Sequence, residues 1–275
     1  MTNLDIIAFW VAVTFYVISS CLFALAFSFE KEKWQTTGVW AAGLGLIPHS
    51  VAIIARWISV GHGPYIYAYE VASSDTWFAV VFFLVLQYKQ PKLRNLGLFI
   101  MPASFLLIGY GVMKLREIEP YPESFTTYWL IVHVFFAKIA YGSAITAAAL
   151  GGTYLFRESG WSRGNRLLSR MPDSTSLDRL SYQFITLAFI AIAIMIVAGS
   201  IWAYKAWGRY WGWDPLETWS LVSWLVYGTY LHRRITGRWE GKKAAWLAIG
   251  ALLVLVFAIF GIPYVYSSLH NAYLK

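Results

Sequence analysis

The sequence is short of cysteine and of charge. Cys21 is its one cysteine in 275 residues, so no disulfide, CxxC redox pair or thiolate metal centre can be built within the chain, and any thiol chemistry must come from a partner. Charged residues make up 13% against 59% hydrophobic, and this excludes an ordinary soluble domain. A basic n-region is also missing. The first apolar run is followed by Glu30-Lys-Glu-Lys33 instead of a small-residue cleavage site, so it reads as a retained span and not as a signal peptide. The basic residues are spread over the ends of apolar runs and form no stripe with exposed aromatics, which argues against a nucleic-acid partner.

What fills the chain is apolar sequence. A helix needs about 20 apolar residues to cross the hydrocarbon core. Eight segments qualify, near 5–29, 37–59, 73–89, 94–112, 127–156, 179–204, 216–236 and 243–266. The expected fold is therefore all-α, a polytopic membrane protein in which residues 1–275 form a single membrane domain without internal repeats. The third segment is the weakest, because Asp75 interrupts its start. If the odd-to-even connections share one side, fifteen of the twenty-two Lys and Arg residues lie there, from Lys31 to Lys243. Arg56, Lys114, Arg116, Lys205, Arg209 and Lys275 lie opposite, and Lys138 sits inside the fifth segment. The positive-inside rule then puts both termini outside, and the net charge of +8 follows from topology. The polar stretch from Arg157 to Asp178 reads as a cytoplasmic connection whose basic half rests on anionic lipid.

Aromatic residues are unevenly placed. Six tryptophans fall within the twenty-three residues from Trp202 to Trp224, and the loop 202–219 holds Trp207, Trp211, Trp213 and Trp219 beside Asp214 and Glu217. Gly208, Gly212 and Pro215 make this run too irregular for a helix interior. It reads as a shaped aromatic surface able to cover a large flat apolar ligand. An interfacial tryptophan belt is the simpler alternative, but a belt needs neither the glycines nor the acid-Pro-acid segment. The topology places His133, the tryptophan loop and His270 on the outer face. Two histidines flanking an aromatic platform suit axial ligation of a haem iron. A zinc site would usually ask for more strong ligands. His232 lies at the inner end of the seventh segment, beside Arg233 and Arg234. His49 lies mid-membrane after Pro48, either functional or bonded to a neighbouring helix.

The stretch Trp207-Gly-Arg-Tyr-Trp-Gly-Trp-Asp214, with Glu217 and Trp219, resembles the tryptophan-rich WWD signature of the haem-handling proteins of cytochrome c biogenesis. Eight spans, an upstream histidine, one at the end of the helix after the signature and a final one after the last helix resemble the CcsA/ResC family of system II. Arg56-Trp57, Gly61-His62-Gly-Pro64 and Tyr69-Glu70 resemble the family's RW…GHxPxxNxYE segment, with Tyr67 in place of the usual Asn. Leu269-His270-Asn-Ala-Tyr stands where LHSYG is usual.

The resemblance implies haem export across the membrane and its presentation at an external WWD site, with His133 and His270 as iron ligands and His232 as a transient intramembrane ligand. It makes Trp207, Trp211, Trp213 and Asp214 parts of the haem cradle, with His49, His62, Glu217 and Trp219 as further candidates. Haem b is then the ligand and substrate, and the partners are a CcsB/ResB-like membrane protein, apocytochrome c and a thiol reductant. The chain would be a subunit of a cytochrome c haem lyase (holocytochrome c synthase) in a bacterial inner or a thylakoid membrane. Its own side chains include no catalytic acid, base or nucleophile for joining CxxCH thiols to haem vinyl groups, and Asp214 and Glu217 are read as orienting the loop. Two other readings stay open: a CcmC-like protein that delivers haem to a chaperone, and a b-type cytochrome of membrane electron transfer.

Overall fold

The computed structural model describes residues 3–114, 123–160 and 166–268. Arg116, Arg163, His270 and Lys275 lie outside them. Every regular element among the described residues is helical. The long helices are α1 (Asn3–Phe29), α2 (Glu32–Val60), α3 (Ala68–Lys89), α4 (Gly97–Met113), α5 (Tyr128–Glu158), α6 (Ser174–Trp207), α7 (Pro215–Thr236) and α8 (Lys242–Val256). A π-helical turn, Phe257–Gly261, and a last helical turn, Ile262–Val265, extend α8. Pro263 supplies no N–H for the carbonyl of Ile259, and a ladder relieved of one bond tolerates the wider turn.

Apolar runs put the starts of α2, α3 and α6 too far inside. Polar first turns are helical here because their amides find acceptors. Asp173 caps α6 by accepting from the Ser176 amide at 3.1 Å, and Glu70 accepts from the amides of Ile66 and Tyr67 at the start of α3. Asp173 lies outside the spans, and the Ser176 hydroxyl, followed by that amide, holds its carboxyl below the usual carboxylate range.

Seven of the described helices are long and apolar enough to cross a membrane, and α7 is the long helix that falls short. With 22 residues it spans about 33 Å, which is sufficient, but Thr218, Ser220, Ser223, Thr229 and His232 lower its hydropathy. Lipid offers no hydrophobic drive between helices, so close packing must hold them. The longest contacts run between α1 and α2 and between α5 and α6. In the second pair Ala140, Ala144 and Ala147 meet Ala188, Ala191 and Ile192. On the other side of α5, a β-carbon at Gly151 would sit 3.1 Å from the Ala245 carbonyl oxygen of α8, so that approach depends on glycine.

The connections collect at two ends. At one end the backbone amide of Arg166 donates to Glu30, Arg170 pairs with Glu32, the Asn95 amide donates to the Leu167 carbonyl, and Asp178 binds both Arg234 and the Gly241 amide. This draws all four odd-to-even connections together. At the other end Ile66, Tyr67, Phe125, Leu130 and Trp202 share one apolar cluster.

Polar groups inside the bundle are mostly paired, as the medium demands. His49, fully buried, lies 3.0 Å from the Tyr16 hydroxyl through Nδ1 and 3.0 Å from the Ser73 hydroxyl through Nε2, tying α1, α2 and α3. Arg56 pairs with Glu70 at 2.9 Å, and Lys138 of α5 pairs with Asp75 of α3 at 2.9 Å.

Candidate functional site

The end bearing Trp202 is built by the α6–α7 junction. The residues 202–219 are mostly helical, a correction to their reading as a loop: α6 runs through Trp207, α7 begins at Pro215, and only 208–214 connect them. Gly208 stops α6 in the left-handed region at φ 72°, where a β-carbon would be strained. Glu217 then organises the turn, accepting from the amides of Gly212 at 2.8 Å and Asp214 at 3.1 Å. Asp214 accepts from the Leu216 amide at 3.0 Å, so the two acids form a capping box with Pro215 at the first helical position. The Ser268 hydroxyl donates to the same Asp214 oxygen at 2.8 Å. That bond anchors the segment after α8 to the turn, two residues before His270, itself outside the described residues.

His133 faces this turn from α5. Its Nδ1 lies 2.8 Å from the Met195 carbonyl of α6. A carbonyl can only accept, so Nδ1 carries the proton and the lone pair resides on Nε2. This is the tautomer that a backbone-anchored metal-binding imidazole uses. The close approach needs Gly199, where a β-carbon would come within 2.5 Å of Nδ1. The imidazole lies nearly parallel to the Trp202 ring, 28° off with centroids 6.5 Å apart, and Trp207 stands edge-on to Trp202 at 4.9 Å.

His133 and Trp202 stand where two cavities meet. One is walled by Trp207, Tyr210, Trp211 and Glu217 with Ala258 and Ile259 of the π-helical turn. The other is walled by Tyr65, Ile66 and Phe125 and reaches Asp75 and Lys138. Both are mainly apolar, as ligand sites usually are.

The remaining candidates fall into separate places. Trp213 is 69% exposed at φ 55° and lines neither cavity. Asp214 is buried in its cap. Trp219 packs edge-on to Phe257. His62 lies in the α2–α3 connection with Nδ1 2.9 Å from the Gly63 carbonyl and 3.7 Å from Glu70. His49 has a hydroxyl at each ring nitrogen, which suits bracing better than ligation. His232 is exposed on α7, seventeen residues from its first turn and so about 26 Å along the axis. The structure does not bring it to His133.

The cytochrome c assembly protein model matches residues 67–270. This chain belongs to that family. As a cytochrome c assembly protein it is 30% identical to "Cytochrome c biogenesis protein CcsA" of Guillardia theta over 97% of this chain and 96% of the relative. Identity is 32% to the protein of that name from Prochlorococcus marinus (strain NATL2A), over 80% and 79%. The fold resembles "Cytochrome c Heme Lyase CcmF", with a TM-score of 0.67 at 15% identity, over 93% of this chain and 46% of that one.

Sequence reasoning missed Gly199, the Met195 carbonyl, Tyr141, which lines both cavities, and the π-helical turn as parts of the candidate site. Only Gly199, four residues from Met195 in the small-residue run Ala198-Gly199-Ser200, and Pro263 gave a signal. Because Asp214 holds both the α7 cap and the segment after α8 at Ser268, Asp214→Ala is expected to cost about 1 kcal/mol of local stability. Cytochrome c maturation should fall in a reporter assay while the protein still reaches the membrane at normal level, and a wild-type yield of holocytochrome would refute the role.

Proposed function

We propose that the chain carries haem b, as substrate, to the His133 end of the bundle and presents it there for covalent attachment to apocytochrome c. The observation that carries this reading is His133 itself, fixed by Met195 as an Nδ1–H tautomer beside Trp202 in a cleft walled by indoles. Those residues fit haem in kind: an imidazole nitrogen of the right kind for iron and apolar, indole-rich walls for the ring. His270 is the second iron ligand in this proposal, and what supports it is that the Ser268–Asp214 bond holds the chain two residues earlier to the turn. Trp207 and Trp211 cover the ring. Asp214 and Glu217 shape the turn, Glu217 also lining the cleft, and Trp213 is presented outward, toward the incoming apocytochrome.

The end bearing residues 208–214 is taken as the outer side, in the membrane of a bacterial cell or a thylakoid, because the opposite end gathers Lys31, Lys92, Arg94, Arg170 and Arg233. The reaction joins CxxCH thiols to the haem vinyl groups, so a thiol reductant must keep the apocytochrome reduced, since Cys21 is the chain's one thiol. The protein's contribution is binding and orientation. A CcsB/ResB-like membrane partner completes the haem lyase, and exposed His232 belongs to the inner face it would cover.

The test is loading. With the partner co-expressed, His232→Ala should lower the haem reaching the untouched outer site to a small fraction of wild type, measured as haem per chain, while His49→Ala should act only through stability. Wild-type haem occupancy and full maturation in His232→Ala would mean that haem arrives by another route.

A further inference from the structure

Two side chains that stood out in the sequence, Asp75 in the third segment and Lys138 in the fifth, meet in the wall of the second cavity. Lys138 is 4% exposed and Asp75 1%, inside spans where buried charge is expensive. The Lys138 ammonium pairs with Asp75 at 2.9 Å and donates a hydrogen bond to the Val71 carbonyl at 3.2 Å. Neither carboxylate oxygen of Asp75 has a hydrogen-bond partner among the described residues. A pair kept only to clamp α3 to α5 would be better satisfied, and well-packed apolar residues would hold those helices as firmly.

We propose that Lys138 is the carboxylate-binding residue of this cavity, and that Asp75 is its positioning residue, holding the ammonium in place while the cavity is empty. The inference rests on the reading of His133 as the iron ligand, and it fixes the orientation of the substrate. Lys138 lies five residues along α5 from His133, about 7.5 Å deeper along the helix axis, and both residues line the second cavity. A porphyrin ligated at His133 with its propionates on Lys138 has that edge buried in the bundle. The opposite edge, which bears the vinyl groups, then faces the turn at 208–214, where thiols arrive. A single lysine makes a charge-assisted bond with a carboxylate, and among the described residues no other Lys or Arg lines either cavity at His133.

Haem and its dimethyl ester separate the alternatives, since both offer the same iron to His133 and only haem carries carboxylates. Each is titrated into the purified full-length chain in nanodiscs. Lys138→Met alone strands a buried carboxylate and risks misfolding, so the informative variant is Lys138→Met/Asp75→Asn, with Lys138→Arg as the conservative control. Wild type should bind haem about tenfold more tightly than the ester. The double variant should bind both alike, with the absorption spectrum of the ligated iron unchanged, and Lys138→Arg should restore most of the preference. If the double variant keeps the wild-type preference for haem, the pair is only a clamp and the proposal is wrong. If wild type binds neither porphyrin, the reading of His133 fails, and this inference with it.

Discussion

His133→Gly should abolish cytochrome c maturation. Losing the outer partner of a metal-bound histidine costs roughly 10–100-fold, and removing the ligand itself should cost more. The variant removes the one imidazole that the described residues place in the cleft, together with its stacking on Trp202, and glycine within α5 costs about 1 kcal/mol of helix stability, so the level of protein in the membrane is measured alongside. The Met195 carbonyl stays within the α6 ladder. Added imidazole fits the vacated space and supplies the same donor, so it should restore part of the activity and part of the bound haem, and imidazole analogues blocked at both nitrogens should restore neither. Holocytochrome is read by haem stain in cells growing with and without imidazole. Normal maturation in the untreated variant would remove His133 from the site.

Gly199→Ala should fail for a different reason. Alanine is favoured over glycine in a helix by about 1 kcal/mol, and Gly199 lies within α6, so the substitution improves the helix locally. Its methyl group, however, would lie 2.5 Å from His133 Nδ1, where the proton donated to Met195 now sits. The imidazole must swing away, and its Nε2 leaves the cleft axis. Misplacement of a reacting group by about 1 Å can cost 10²-fold, and a loss of that order in maturation is expected with protein level at or above wild type. Thermal stability and holocytochrome yield measured on one preparation check this. Activity equal to wild type would show that His133 does not need its present orientation.

The eight helices were legible because apolar runs of membrane length admit few alternatives. Their ends were not. Ser174 and Ala68 begin helices since Asp173 and Glu70 supply acceptors to their first turns, and a hydropathy reading stops at the first polar residue. The tryptophan run was conspicuous in the sequence, but its composition concealed that Trp202 and Trp207 belong to α6 and Trp219 to α7. The turn shrinks to residues 208–214 because Glu217 and Asp214 cap α7 tightly. His133 stood out by type and topology, whereas its tautomer depends on a carbonyl sixty-two residues away, which no spacing encodes. Asp75 and Lys138 were each conspicuous alone, as charges inside apolar runs. That they meet was not visible, because nothing in a single sequence specifies which helices adjoin.

His49 shows the converse. From its position His49 reads as either functional or bonded to a neighbouring helix, and Tyr16 and Ser73 occupy both of its nitrogens. A deep bis-histidine site of the kind a permanent b-type cytochrome uses would need that imidazole released. The histidine that the described residues do place against an open apolar cleft, His133, lies near the end of the bundle, a location suited to handing a ligand on.

The most direct test of the central claim is the absorption spectrum and haem content of the chain purified together with a CcsB/ResB-like partner. The account predicts haem in the wild-type preparation with the bands of low-spin, bis-imidazole iron, lost from the outer site in His133→Gly and regained in part with imidazole. A wild-type preparation without haem, or a His133→Gly preparation with the same bands at the same occupancy, would contradict it.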